Sequence, residues 1–376
     1  MVLALLAGHG ATRADQPPAE KPPADKPLIR WDEQTVRVRT FGETEPQPLA
    51  LAQLYASGQR AEAVARLEGW SEADMKAELV TLRSQMRKMG DRLPEGLLRA
   101  AVMLHTDREA YERMQSPVVE SVRECGINKH GGYARSLIGL LIVQTESSRD
   151  FARRWLTAMA LSSQWDLCLD DVRRWTHEGL KWFPKDAQLL LIQGTASESA
   201  AALSVVDPSD GYAGQGRMYL EVELKKASRD LEAAVALDPD LHEARVRLGR
   251  VLWRLGRSEQ ARAALAGAVE RVQEPSTLYL AHLFLGRVLE DSKDLPGAVE
   301  HYRAALAVDP GAQAAAVGLS QALLLQGEEA ESRQVMGQAL QYAPRAQPRD
   351  PYMSYHLGRA NRAEEMLDTL REETLQ

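Results

Sequence analysis

Few stretches of this 376-residue sequence bring together side chains that do chemistry. Cys125 and His130, in the run CGINKHGG, set a thiol and an imidazole in a glycine-bearing loop. A structural zinc takes four such ligands in tetrahedral array, and no second pair accompanies these two. Gly211, Gly214 and Gly216 cluster as in a phosphate loop. No Lys-Ser/Thr closes the cluster and no strand pattern leads into it, so it reads as an insertion. His242-Glu243 does not open an HExxH helix, because residue 246 is Val. Residues 318–322, GLSQA, approach the nucleophile elbow of hydrolases. They lie inside a helical pattern, which cannot form the strained strand-to-helix turn that elbow needs. The sequence therefore points to no catalytic residue, no cofactor and no metal, and the expectation is a protein that is not an enzyme.

What is left for function is surface. Hydrophobic residues make up 44% of the chain, charged residues 26%, and the net charge is −7. An acidic balance argues against general nucleic-acid binding, which draws on excess Lys and Arg. Cys125 and Cys168 make no disulfide framework; they either pair once or stay as two buried thiols. Residues 1–14 hold a short apolar run, VLALLA, followed by Thr12-Arg13-Ala14, a small-x-small cleavage pattern. This reads as a signal peptide too short to span a bilayer, and it predicts an exported, periplasmic or envelope-associated protein. No other run is apolar for long enough to cross a membrane. Residues 15–47 read as a proline-rich linker, with PPA-(Glu/Asp)-Lys-Pro twice, and an extended arm in which 35–39 alternate like a strand.

From Pro48 onward the pattern is helical. Segments 49–57 and 60–68 flank Gly58, and 72–89 and 94–114 continue as amphipathic helices. Gly131-Gly132 interrupts the pattern; residues 135–144 then read as a buried helix, apolar nearly all round. The stretch around which the chain is organised is 279–310, two amphipathic segments broken at 291–294. Leu285 and Gly286 sit in its first segment, Ala298, Tyr302 and Ala305 in its second, and Pro310 follows. Another proline, Pro344, stands one 34-residue period later.

This pattern resembles the tetratricopeptide repeat (TPR), a helix–turn–helix unit that buries its apolar face only by stacking on copies of itself. In that family, position 8 of the first helix and positions 20 and 27 of the second are small, because the helices approach closely there. Here these positions hold Ala160, Val172 and Gly179; Gly194, Ala227 and Ala234; Gly249, Ala261 and Ala268; Gly286, Ala298 and Ala305; then Ser320, Ser332 and Ala339. About 21 extra residues, including 204–217, separate Gly194 from Ala227. The resemblance, to TPR proteins of bacterial type, implies an all-α, right-handed superhelical solenoid. It divides the chain into a degenerate helical region at 48–150, repeats at 151–344, and a capping hairpin at 345–376.

The resemblance also implies a function. First helices of TPR units line a concave groove that receives a peptide or helix of a partner protein. The residues that would face it are Arg247, Arg250, Trp253, Arg254, Leu283, Phe284, Arg287 and Gln321. Arg pairs with carboxylates and Trp or Phe anchors apolar groups. The clamp that grips chaperone C-termini uses Lys at position 5, where this chain has Val246, Leu283 and Val317. The reading is a non-catalytic interaction scaffold. Its rivals are a self-assembling envelope protein and an enzyme with a cryptic site in 72–150, which would gather polar groups near Cys125, His130 and Tyr133.

Overall fold

The computed structural model describes residues 48–89, 94–115, 125, 129–203, 213–342 and 350–376. The signal-peptide, linker and strand readings of 1–47 lie outside the described residues, as do 204–212 and Pro344. The described residues are helical and contain no strand: α1 Pro48–Ala56, α2 Arg60–Leu67, α3 Glu72–Met89, α4 Glu95–Gln115, α5 Lys129–Leu141, α6 Glu146–Trp165, α7 Leu169–Trp182, α8 Ala187–Leu203, α9 Ala213–Leu237, α10 His242–Arg254, α11 Ser258–Val269, α12 Pro275–Asp291, α13 Leu295–Val308, α14 Gln313–Gln326, α15 Glu329–Tyr342 and α16 Ala363–Leu375. Two 3-10 turns, Tyr355–Leu357 and Ala360–Arg362, precede α16.

Local chemistry sets where the helices start and turn. Thr145 accepts from the Ser148 amide at the head of α6. Asp294 accepts from the Gly297 amide at the head of α13. Glu274 takes two amides at the head of α12, where Pro275 occupies the first turn and wastes no donor. The turn inside a hairpin needs one residue with left-handed backbone. Gly58, Gly256 and Gly327 supply it at no steric cost, whereas Leu167 and Lys293 adopt it with a Cβ in place.

Helices α6–α7, α8–α9, α10–α11, α12–α13 and α14–α15 pair as hairpins, and each second helix packs on the first helix of the next hairpin. That is the all-α TPR solenoid. Its seams are small against large. A Cβ on Gly249 would stand 2.4 Å from Leu265 Cγ, and one on Gly194 2.8 Å from Leu231 Cγ. The Tyr302 ring lies between Gly286 and Gly318, at 2.7 Å from where either Cβ would be. Its hydroxyl donates to Glu290 Oε2 at 2.7 Å, so the phenol is satisfied within the core. At the last crossing Ser320 and Ser332 share a hydrogen bond of 2.7 Å.

Three expectations need correction. Gly131 and Gly132 lie inside α5 rather than breaking it, and Gly131 makes room for the Glu109 carboxylate of α4. The run 135–144 is not apolar-buried all round: Leu137, Ile138, Leu141 and Ile142 are buried, but Val143 is exposed. Residues 350–376 do not cap the last hairpin. Their helix, α16, packs on α6, α4 and α1, at the other end of the repeat array. The two 3-10 turns stand where a first repeat helix would be. The extra residues between Gly194 and Ala227 lengthen the α8–α9 hairpin, leaving α9 at 25 residues.

Candidate partner-binding groove

The first helices of the hairpins, α6, α8, α10, α12 and α14, form a row, and the predicted groove residues lie on it. Residues 350–376 run along that row in reverse order, as a strap. Asp350 accepts from the Ala314 amide at the head of α14 (2.8 Å). Tyr352 meets Phe284 of α12 edge-on. His356 contacts Ser199 of α8, and its carbonyl accepts from Gln164 of α6. Arg359 pairs with Glu243 of α10 (2.7 Å). Beyond the turns, Arg154 of α6 grips Glu373 through two bonds of 2.6 and 2.7 Å. Arg371 reaches Asp107 of α4 (2.8 Å), whose carboxylate also binds Tyr55 and Arg60.

The strap's central anchor is Tyr355. Glu198 of α8, fully buried, accepts its hydroxyl at 2.8 and 3.0 Å. Glu198 also takes Arg250 Nη1 (2.5 Å) and Arg247 Nη1 (3.1 Å). Both guanidinium groups lie over the Tyr355 ring, 4.3 Å from its centroid for Arg247 and 4.7 Å for Arg250. Arg247 Nη2 donates to the Tyr355 carbonyl at 2.7 Å, and Phe284 meets the ring edge-on at 5.1 Å. Burial raises the Glu198 carboxyl, but Arg250 and Arg247 outweigh it and hold the group below the usual carboxylate range. Burial, then Glu198, pushes the Tyr355 phenol up, so it stays a donor. Gly358 has a positive φ of 53°, and a Cβ there would stand 2.9 Å from Gln164 Nε2; the strap comes this close because the residue has none.

The predicted groove residues thus fall into two groups. Arg247, Arg250, Leu283 and Phe284 are buried, and three of them are engaged by the strap. Arg254, Trp253 and Arg287 are half-buried and Gln321 is exposed. Trp253 Nε1 donates to Asp291 (2.6 Å). One guanidinium nitrogen of Arg254, Nη1, is buried without a hydrogen-bond partner among the described residues. Burial and neighbouring Arg250 pull the Arg254 pKa below its ordinary value. No carboxylate pairs with Arg287 among the described residues. Val317 and Leu324 stand exposed one helical heptad apart on α14, with Tyr352 and Met353 of the strap also exposed. Sequence reasoning missed Glu198 and Tyr355. The one available signal was Glu198 itself, the sole charge in the helix AQLLLIQGTASESAAAL.

Under the strap remains a cavity of about 280 Å³, lined by Arg153, Leu161, Thr195, Gly358, Arg362 and Met366 among others. Polar groups do gather between α4 and α5, where a cryptic site would lie. His130 Nε2 is 3.1 Å from Glu112, and the His105 ring stands 6.0 Å from that of His130 and 5.8 Å from that of Tyr133. His105, Glu109 and His130 are each at most 5% exposed. Burial pushes the His105 pKa down to about 3 and the Glu109 pKa up to about 7, leaving His105 neutral. Cys125 and Cys168 are joined as a disulfide, with Cα atoms 5.2 Å apart, which ties the chain ahead of α5 to the head of α7.

The tetratricopeptide repeat family profile matches residues 222–282 and 289–349. No curated protein matches the chain by sequence. Among solved structures, MamA is similar at 21% identity over 46% of this chain and 88% of its own, with a TM-score of 0.37. Pseudomonas aeruginosa PilF is 16% identical over 59% and 90%, with a TM-score of 0.44. YrrB, described as a TPR protein with an unusual peptide-binding site, is 19% identical over 47% and 78%, with a TM-score of 0.35. Likenesses of this size add no weight; the family profile and the small-against-large seams do. Both matched stretches run through hairpins stacked in sequence, so residues 222–282 and 289–349 carry tetratricopeptide repeats.

Proposed function

We propose that the protein is a non-catalytic interaction scaffold that docks an acidic, partly apolar peptide of a partner protein on the stretch of its groove that the strap leaves open. Arg254 and Arg287 supply positive charge there, and Val317 and Leu324 supply apolar contact. The observation that carries the reading is a pair of half-buried guanidinium groups on adjacent first helices, Arg254 and Arg287, neither ion-paired to a carboxylate among the described residues. A cation without a counter-charge on a groove wall takes a carboxylate as its natural partner. Selection of decapeptides from a random library on the full chain tests this. Enrichment of Asp and Glu near an apolar residue is expected, with binding lost in the double variant Arg254→Glu/Arg287→Glu. No enrichment, or equal binding by the variant, would end the reading.

Export is part of the same proposal, supported by the Cys125–Cys168 disulfide, since such bonds persist in oxidising compartments. Alkylation of the native protein without reductant, followed by intact mass measurement, checks it: two modified cysteines would contradict export.

A further inference from the structure

We infer that Glu198, Arg247, Arg250 and Phe284 form a tyrosine-reading site that the strap occupies in cis and yields to a tyrosine-bearing segment of the partner. This rests on the groove-docking reading above and names a second determinant of the same partner. Three observations carry it.

The first is how much of the site converges on one side chain. Glu198 accepts both bonds from a single phenol, two guanidinium groups cover one ring, and an aromatic edge closes it. A Phe would leave a fully buried carboxylate short of a donor, so the site distinguishes the hydroxyl as well as the ring.

The second is the chemistry of the floor. A strap that served only to stabilise the solenoid would cover apolar surface. Around Tyr355 this one covers an ionised triad, while Ala363, Leu367 and Leu370 of α16 make its apolar contacts. Buried ion clusters add little net stability over apolar packing, because the charges give up hydration to enter them. The same charges regain water when uncovered, so exposure of this floor is tolerated where exposure of an apolar seam is not. Glu198 and Arg250 pair with each other directly, not through the strap.

The third is the packing of the strap itself. It crosses α12, α10 and α8 in short turns with Tyr352, Met353 and Ser354 exposed, and a cleft of about 280 Å³ that opens to the surface separates it from α6 and α8. Interiors meant to be permanent are close-packed.

A tethered strap competes at an effective concentration near the millimolar range, so a free peptide of equal affinity is held off the wild-type chain. The test uses a fluorescent peptide of residues 350–362 and the full chain, read by anisotropy. The Tyr355→Ala chain is expected to bind the peptide at least tenfold tighter than wild type. A peptide carrying Tyr355→Ala is expected to lose at least tenfold on that same chain. Equal affinity of the two chains, or of the two peptides, would overturn the inference. Hydrogen exchange on the wild-type chain keeps the test decisive if the variant does not fold. Amides of 355–375 are expected to exchange at least a hundredfold faster, after correction for intrinsic rates, than those of α12 and α13. Equal protection would mean that the strap leaves only on global unfolding, which would also overturn it. Failure here leaves the Arg254/Arg287 experiment untouched: selected peptides that lack tyrosine yet depend on those arginines would sink this inference alone.

Discussion

Two kinds of seam hold residues 48–376 together, and they are built from opposite materials. Between hairpins, as at Gly249 against Leu265 or Tyr302 between Gly286 and Gly318, the contact is a large side chain filling the space where a Cβ is missing. Between strap and groove it is Tyr355 on Glu198, Arg359 on Glu243, Arg371 on Asp107 and Glu373 on Arg154. The first kind repeats with the period of the sequence, excludes water and fails all at once. The second joins residues far apart in the chain and buries paired charges around Tyr355, with apolar contacts added by Ala363, Leu367 and Leu370 of α16. On the strap proposal the first kind is permanent and the Tyr355 contact of the second is reversible.

The sharpest break of that contrast is Tyr302→Ala. It empties the space between two hairpins and orphans Glu290, at a cost of about 3–5 kcal/mol. Urea unfolding should shift to a lower midpoint with an unchanged slope, whichever region is probed. Gly249→Ala attacks the same kind of seam from the other side. The added carbon meets Leu265, and a loss of about 1–3 kcal/mol is expected, again felt by the whole array. Both variants should lower core protection in hydrogen exchange while leaving strap protection unchanged, as long as strap opening stays the easier event.

Acid probes both regions with one variable. His105 lies in the α4–α5 cluster and His356 on the strap; burial lowers them to about 3 and about 4. Each binds a proton more readily unfolded than folded. Their contributions are therefore fully present above pH 6.5 and lost as pH falls through the folded values, at no more than about 1.4 kcal/mol per pH unit for each group. Strap amides should lose protection between pH 6.5 and 4. In the α4–α5 cluster Glu109, raised to about 7, gains as His105 loses down to about pH 4.5, so its net loss of stability should fall between about pH 4.5 and 3. A strap insensitive to pH across that window would contradict the assignment of His356 to it.

A smaller and local effect is expected of Glu198→Gln. It removes the carboxylate shared by Arg247, Arg250 and Tyr355 while conserving shape, and its cost, about 1 kcal/mol, is capped by the free energy of opening the strap. Protection should fall over 355–375 and not in α12 or α13; a loss shared by the whole array would blur the two kinds of seam into one. Smallest is Lys293→Gly. Lys293 holds the left-handed turn that glycine holds in three other hairpins, so a gain of up to about 1 kcal/mol in the melting equilibrium is expected.

Much of the fold was legible because TPR packing writes itself into short-range pattern. Small residues at 194, 249 and 286 stand where first and second helices cross, and each is met in the structure by Leu231, Leu265 or Tyr302 of its own hairpin. The groove was legible only as a list of positions. What faces Arg250 was not legible at all, because Glu198 lies 52 residues away and Tyr355 more than 100. Reading 345–376 as a cap failed for a related reason. Amphipathic spacing in 363–375 says that one face must be covered, and it does not say by which helix.

Alone, then, the amino-acid order decided the hairpins and their stacking, since each rests on contacts within one repeat or between neighbours. The tertiary structure decided the path of the strap, the Glu198–Arg247–Arg250–Tyr355 cluster and the pairing of Cys125 with Cys168. Those depend on where the finished array brings distant residues together, and periodicity carries no record of that distance.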